Sequence, residues 1–327
     1  MTSAQVCILI SIAVYLIAML AIGIVCSKRN NTVDDFYLGG RRLGPVVTAM
    51  SAEASDMSSW LLMGLPGVAY LTGVADPGWT AIGLGVGTYI NWLVVARRLR
   101  RYSARIGAIT VPDFFSRRFG EKKHILTAMA AILIIVFFVP YTASGFAACG
   151  KLFNSLFGVD YMIAMILSAV VIVGYTIMGG FRAVSTTDLI QSVVMSMALI
   201  AVLVYGVSVA GGWDVVLDNA RSLPGYLTMM ASHNVADNSA TSYSLLDIAS
   251  TMAWGLGYFG MPHILLRFMA IREEKELNQS RRIATIWVVI SMFIAVCIGI
   301  IGNSVTAAGK VPFLATSAES ETIIIKL

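Results

Sequence analysis

Eight stretches of this chain are apolar over the thickness of a bilayer, and nearly every charge falls between them. They lie at about 6–26, 45–70, 79–96, 125–149, 160–178, 189–210, 245–265 and 283–308. A run of about 20 apolar residues suits a membrane helix, whereas a barrel strand would show runs of about 10 with alternating polarity. Backbone amides inside lipid must find partners within their own segment, so these runs predict an all-α integral membrane fold. Composition agrees: 57% of residues are hydrophobic and 13% charged, where soluble domains carry about a quarter charged.

The net charge of +5 does not mark a nucleic-acid binder, because the bases sit in loops between apolar runs. Assigned alternately to the two sides, the loops 27–44, 97–124, 179–188 and 266–282 hold 19 of the 23 Lys and Arg, and the other side holds 4. The rich side is expected to be cytoplasmic, which puts the N-terminus and 309–327 outside, in a plasma membrane. MTSAQ has no basic stretch before the first apolar run and no cleavage site follows it, so that run reads as a retained span. In the loop 97–124 the basic cluster holds the loop inside and could also meet anionic headgroups. Val111-Pro112-Asp113-Phe114-Phe115 there reads as the start of a short amphipathic helix. The stretch 211–244 reads as an external loop with one short helix and a solvent-facing His233.

The run 45–70, PVVTAMSAEASDMSSWLLMGLPGVAY, carries two acids and no base. Ionisable groups at the bilayer centre cost a few kcal/mol or more and persist mainly where they act. Glu53 and Asp56, three apart, share a helix face; Ser51, Ser55, Ser58 and Ser59 surround them, and Gly64-Leu-Pro66-Gly67 interrupts the helix further on. Carboxylates, hydroxyls and a broken helix at membrane depth are the elements of a cation-coupled transport site. The plainer alternative is one long helix whose acids snorkel or pair.

Other motifs have ordinary explanations. Gly255-Leu-Gly257-Tyr-Phe-Gly260 matches a dinucleotide fingerprint but sits in an apolar span, where glycines allow close helix contact or an unwound turn. Gly83-Leu-Gly85-Val-Gly87 reads as packing through small residues. Trp254, Tyr258 and Pro262 recur every four residues as a stripe, and Tyr141 follows Pro140. Asp188 reads as a cap on the sixth span, and Arg41 with Arg42 as inner-side anchors. Cys7, Cys26, Cys149 and Cys297 show no disulfide or metal spacing. Asn30-Asn31-Thr32 and Asn278-Gln279-Ser280 match glycosylation sequons by chance on the cytoplasmic side. No nucleotide-hydrolysis or catalytic motif is present, so the chain reads as no enzyme and needs no cofactor beyond a coupling ion.

FYLGGRRLGPVVTAMSAEASDMSSWLLMGLPGVAY, INWLVVARRLR, the YTASG segment, GGFRAVSTTDLIQ and WGLGYFGMPHILLRFMA resemble the sodium/solute symporter family, and within it the proline-carrying branch. The resemblance implies a leucine-transporter-type inverted-repeat fold, two five-helix repeats preceded by an extra helix, with about thirteen spans in typical members and about eight here. On that map 1–44 is the extra helix with its cytoplasmic loop, 45–210 the first repeat with its broken helix at 45–70, 211–244 an external loop and 245–327 the start of the second repeat. The ending at Leu327 then falls before the helix expected to complete the sodium site.

It further implies that the Ala54 and Met57 carbonyls coordinate Na+ and that coupling depends on Asp56. Ser58, Tyr141, Trp254, Tyr258 and Pro262 correspond to positions that shape a proline pocket. Arg41 lies at the inner mouth and Asp188 on the inward ion route. Glu53, Ser59 and Met261 stand where Gly, Gly and Gln are expected. The function implied is sodium-coupled import of L-proline. A symporter for another small solute, or a non-transporting remnant or sensor subunit, is the alternative.

Overall fold

The computed structural model describes residues 3–28 and 31–327. Met1, Thr2 and Asn30, the acceptor of one sequon, lie outside the described residues. The elements run α1 (Ser3–Ser27), α2 (Val33–Leu38), α3 (Pro45–Ser59), α4 (Leu65–Thr72), α5 (Ala75–Asn91), α6 (Arg97–Ile106), α7 (Val111–Arg118), α8 (Ile125–Phe157), α9 (Tyr161–Ala210) and α10 (Trp213–Ser222). A hairpin of β1 (Ala231–Asn234) and β2 (Ser239–Ser242) follows, then α11 (Leu245–Met252), α12 (Pro262–Ala270), α13 (Leu277–Ala307), α14 (Ser317–Ser320) and α15 (Ile323–Lys326). Widened π turns at Trp60–Gly64 and Trp92–Ala96 join α3 to α4 and α5 to α6, and a tighter 3₁₀ stretch, Ala253–Phe259, follows α11.

Among the described residues, five helices are long and apolar enough to cross a membrane: Gln5–Ser27, Ala75–Ile106, Ile125–Phe157, Tyr161–Ala210 and Glu274–Ala307. The difference from eight runs lies in how helices join and break. The stretch 179–188, expected to be a loop, is helical inside α9, which bends at Gly180 (φ 60°, ψ −163°), where a residue without Cβ is favoured. The run 245–265 is interrupted by the 3₁₀ stretch. The span beginning near 79 continues as helix through the basic residues to Ile106. In 45–70 the helix breaks at Ser58 (φ 45°, ψ −150°) rather than at Gly64–Gly67, where Pro66 opens α4 from its first turn.

The chain folds as two compact units. The first comprises the residues up to Asp56 with Trp92–Gln191 and Met261–Arg281; the second comprises Met57–Asn91, Ser192–Gly260 and Arg282–Leu327. In the first, α1 meets α9 where a Cβ on Gly179 would stand 3.0 Å from Gly23 Cα. Leu43 pairs with the chain end of α12, its N–H donating to Ala270 O (3.2 Å) and its carbonyl accepting from Arg272 N (3.0 Å). The face of α8 bearing Ile132, Leu133, Val136 and Phe137 is exposed, as a lipid-facing helix requires. Ser280 is buried and donates to Pro45 O (2.9 Å).

The second unit is built around Tyr70 with Ile301, Val305, Leu314 and Ile323. Tyr226, fully buried, brings its hydroxyl to the end of α4, 2.8 Å from Ala69 O and 3.0 Å from Tyr70 O. The hairpin pairs Ala231 with Ser242 and Asn234 with Ser239. Its strands, ASHN and SATS, lack the β-branched and aromatic run that signals a strand, so only a loop was legible there. His233, expected to face solvent, is 7% exposed; its Nδ1 lies 3.0 Å from Pro224 O and its ring meets Tyr226 edge-on.

The two glycine motifs are partners. A Cβ on Gly255 would stand 2.1 Å from Gly83 O, and one on Gly87 would stand 2.4 Å from Gly255 O. Backbone meets backbone here, so nothing flexible can yield. Gly255→Ala is expected to cost about 1–3 kcal/mol in unfolding free energy, while Gly257→Ala, with open space around the new Cβ, should be nearly neutral. Thermal denaturation of the two variants in detergent checks this, and equal midpoints would refute the crossing as the cause.

Candidate functional site

Within the first unit, α3 carries Ser51, Ala54, Ser55 and Asp56 up to the break at Ser58. A residue with Ser58's angles interrupts the i→i−4 ladder, so carbonyls in the turn before it lose helical partners. Tyr141, on α8 next to Pro140, donates its hydroxyl to one of them, Ser55 O, at 2.9 Å, and lies 3.3 Å from Asp56 O. Its ring stacks on His263 (centroids 5.7 Å, 15° between planes), and Phe138 meets the same imidazole edge-on at 5.5 Å. His263 in turn places Nε2 3.7 Å from Asp56 Oδ1. Pro262 opens α12 at its first turn and so sets the helix that carries His263 and Arg267.

One turn deeper lies a buried ion pair. Arg267 (5% exposed) donates from Nη2 to Asp188 Oδ2 at 2.9 Å. The same guanidinium reaches Ser51 Oγ (2.9 Å from Nε), Ser55 Oγ (2.7 Å from Nη2) and His263 O (2.8 Å from Nη1). The two serines pass hydrogen bonds on to Asp188 Oδ2, at 2.6 and 3.1 Å, and the Phe181 ring lies 5.2 Å from the guanidinium carbon. Asp188 therefore does not cap a helix start, as its position after a supposed loop suggested. It sits inside continuous helix, where the charge of Arg267 makes its burial affordable.

Arg41 is more than an anchor. It adopts φ 53° and sends its guanidinium to Met269 O (2.8 Å), Ser103 Oγ (3.2 Å) and Ala108 O (2.5 Å), tying the α2–α3 turn to α6 and α12. Burial pulls its pKa below the usual arginine range and Arg100 pushes in the same direction, yet arginine keeps its charge at any physiological pH. Glu53 is 2% exposed and accepts from Trp92 Nε1 at 3.0 Å, and the Trp92 ring packs on Phe268 at 4.5 Å.

Met57, Ser58, Trp254 and Tyr258 belong to the second unit. There Trp254 meets Trp60 edge-on at 4.9 Å, and Asn91 Nδ2 donates to Tyr258 O at 2.8 Å. Tyr258 is buried, while Trp254 is 54% exposed. The structure thus gathers Asp56, Tyr141, Asp188 and Pro262 in one unit, and Trp254 with Tyr258 in the other. Sequence reasoning missed Arg267 and His263. Their signal was a base and an imidazole inside PHILLRF, an apolar helix, where Arg267 had been counted among loop bases.

The fold has solved counterparts. A structure of a Na+-coupled sialic acid symporter, in a substrate-bound outward-open state, superposes with a TM-score of 0.73 over 95% of this chain and 65% of that one. At 19% identity this is a likeness of fold. The profile of the sodium:solute symporter family matches residues 36–327, and the chain belongs to that family. Among curated relatives, the osmoregulated proline transporter OpuE of Bacillus subtilis (strain 168) is 43% identical over 90% of this chain and 58% of its own length. A sodium/proline symporter of Staphylococcus aureus is 42% identical over 90% of this chain and 55% of its own. The chain spans somewhat more than half the length of these relatives.

Proposed function

We propose that this chain carries the ion and substrate elements of a symporter that imports L-proline with Na+ across the plasma membrane. The observation that carries the reading is the break of α3 at Ser58, two residues after Asp56, whose side chain is 5% exposed. Hard cations favour oxygen ligands, and unwound backbone supplies them without burying a full charge for each. In this reading Ala54 and Met57 offer carbonyls to Na+, and Asp56 supplies the negative charge. Ser58, Tyr141, Trp254, Tyr258 and Pro262 line the proline pocket. Arg41 stands at the inner mouth, and Asp188, locked to Arg267, lies on the inward route. The relatives named for proline transport support the choice of solute.

The same reading gives the chain an inverted-repeat architecture of the leucine-transporter type. α1 is the extra N-terminal helix, α3 to the end of α9 belong to the first repeat, and α11 begins the second. The N-terminus lies outside, and the bases of 97–124 face the cytoplasm. Cooperativity follows because Na+ held at the break of α3 fixes Tyr141 and the carbonyls beside it in the geometry the substrate meets. The test is equilibrium binding of labelled proline to the purified protein in NaCl and in choline chloride. Binding that tightens with Na+ is expected; equal affinity in both salts would refute the coupling.

A further inference from the structure

The end of the Ala75–Ile106 helix forms, with α7, a groove of about 470 Å³ within the first unit. Its walls are Val94, Val95, Leu99 and Phe114, and its rim carries Arg98 and Arg118. The arginines of α6 are not equivalent. Arg97 and Arg101 are both satisfied by Glu274, and Arg100 donates to the carbonyls of Ile271 (2.6 Å) and Arg272 (3.1 Å). Arg98 and Arg118 have no carboxylate partner among the described residues. Arg118 instead lies 4.8 Å over the Tyr102 ring, which leaves its charge on offer at the groove. Phe115 and Phe119 on and beside α7 are 40% and 66% exposed, and Val94 on the helix is 40% exposed. Apolar walls that run on into an exposed apolar helix face, beneath two uncompensated guanidinium groups, match a molecule with acyl chains and a phosphate.

We propose that this groove binds an anionic phospholipid of the surrounding leaflet. Its phosphate lies between Arg98 and Arg118, and one acyl chain lies along Val94, Leu99 and Phe114. A soluble phosphate would leave the apolar walls wet, and a zwitterionic lipid would leave the two charges half matched. The leaflet follows from the cytoplasmic placement of the 97–124 loop, since that leaflet carries the negative surface potential. A lipid held there would brace α6 against α7, and through Arg41, which bonds Ser103 on α6 and Ala108 just after it, the turn leading into α3.

The experiment is native mass spectrometry of the purified, delipidated chain titrated with palmitoyl-oleoyl phosphatidylglycerol, with the matching phosphatidylcholine, and with glycerol 3-phosphate. Wild type is expected to retain phosphatidylglycerol preferentially. Arg98→Gln or Arg118→Gln should weaken it about fivefold each, and the pair on the order of 30-fold. Arg105→Gln removes the same charge from the same helix outside the groove and should leave retention unchanged. The proposal is overturned if the double variant retains the lipid as wild type does, or if Arg105→Gln weakens it equally. It is also overturned if phosphatidylcholine or glycerol 3-phosphate binds as tightly. All three arginines concerned are exposed, and monodisperse elution confirms folding before each titration; should the double variant aggregate, the single variants decide. Lipid retention in detergent is read without proline or Na+, so its failure leaves the transport reading untouched.

Discussion

Arg267→Met is expected to lower the unfolding free energy by about 3–5 kcal/mol, because it strands the Asp188 carboxylate among apolar helices. The guanidinium is the partner of Asp188, and it also orders Ser51, Ser55 and the His263 carbonyl. Removing it leaves two serines and one acid competing for too few donors. The companion change Asp188→Leu removes the stranded charge, so the double variant should recover most of the loss, as buried ion pairs replaced by apolar groups commonly do. Denaturation of the single and double variants checks this. If the double variant is no more stable than Arg267→Met, the two residues are not energetically coupled.

Asp56→Asn is expected to raise the Na+ concentration that half-saturates proline uptake by at least about 100-fold. The charge, not the shape, is what changes. A carboxylate about 4 Å from a cation contributes about 4 kcal/mol at the effective dielectric of a partly hydrated site, and relaxation recovers only part of that loss. Asparagine keeps an oxygen and the size of the side chain, so the backbone break at Ser58 and the bond from Tyr141 to Ser55 should persist. Sodium titrations of labelled-proline uptake measure the effect. An unchanged half-saturation would remove Asp56 from the ion site.

Hydropathy made the helices legible, and the acids at 53 and 56 drew attention to α3, because both signals are local. Where helices broke was less legible. Gly64-Leu-Pro66-Gly67 looks like a breaker in sequence, yet proline is tolerated at a helix start, and α4 begins there. Ser58 has no such signature. Its left-handed φ is imposed by what surrounds it, and an ordinary serine can be held there only by tertiary structure. Asp188 misled for a similar reason: a glycine pair and an arginine before it imitate a loop, but the segment stays helical with Ala183, Ser185 and Thr187 buried.

What the residue order settles is the class of fold, through the length of its apolar runs. Glycine spacing foretold close contact at 83–87 and at 255–260 without saying that each was the other's partner. Pairing is a matter of which residues meet across long stretches of chain, and no local pattern encodes it. Arg267 finds Asp188 across 79 positions and Ser51 across 216, and His263 reaches Asp56 only because α12 packs beside α3 in the first unit. The charge balance of the candidate ion site is decided by those meetings.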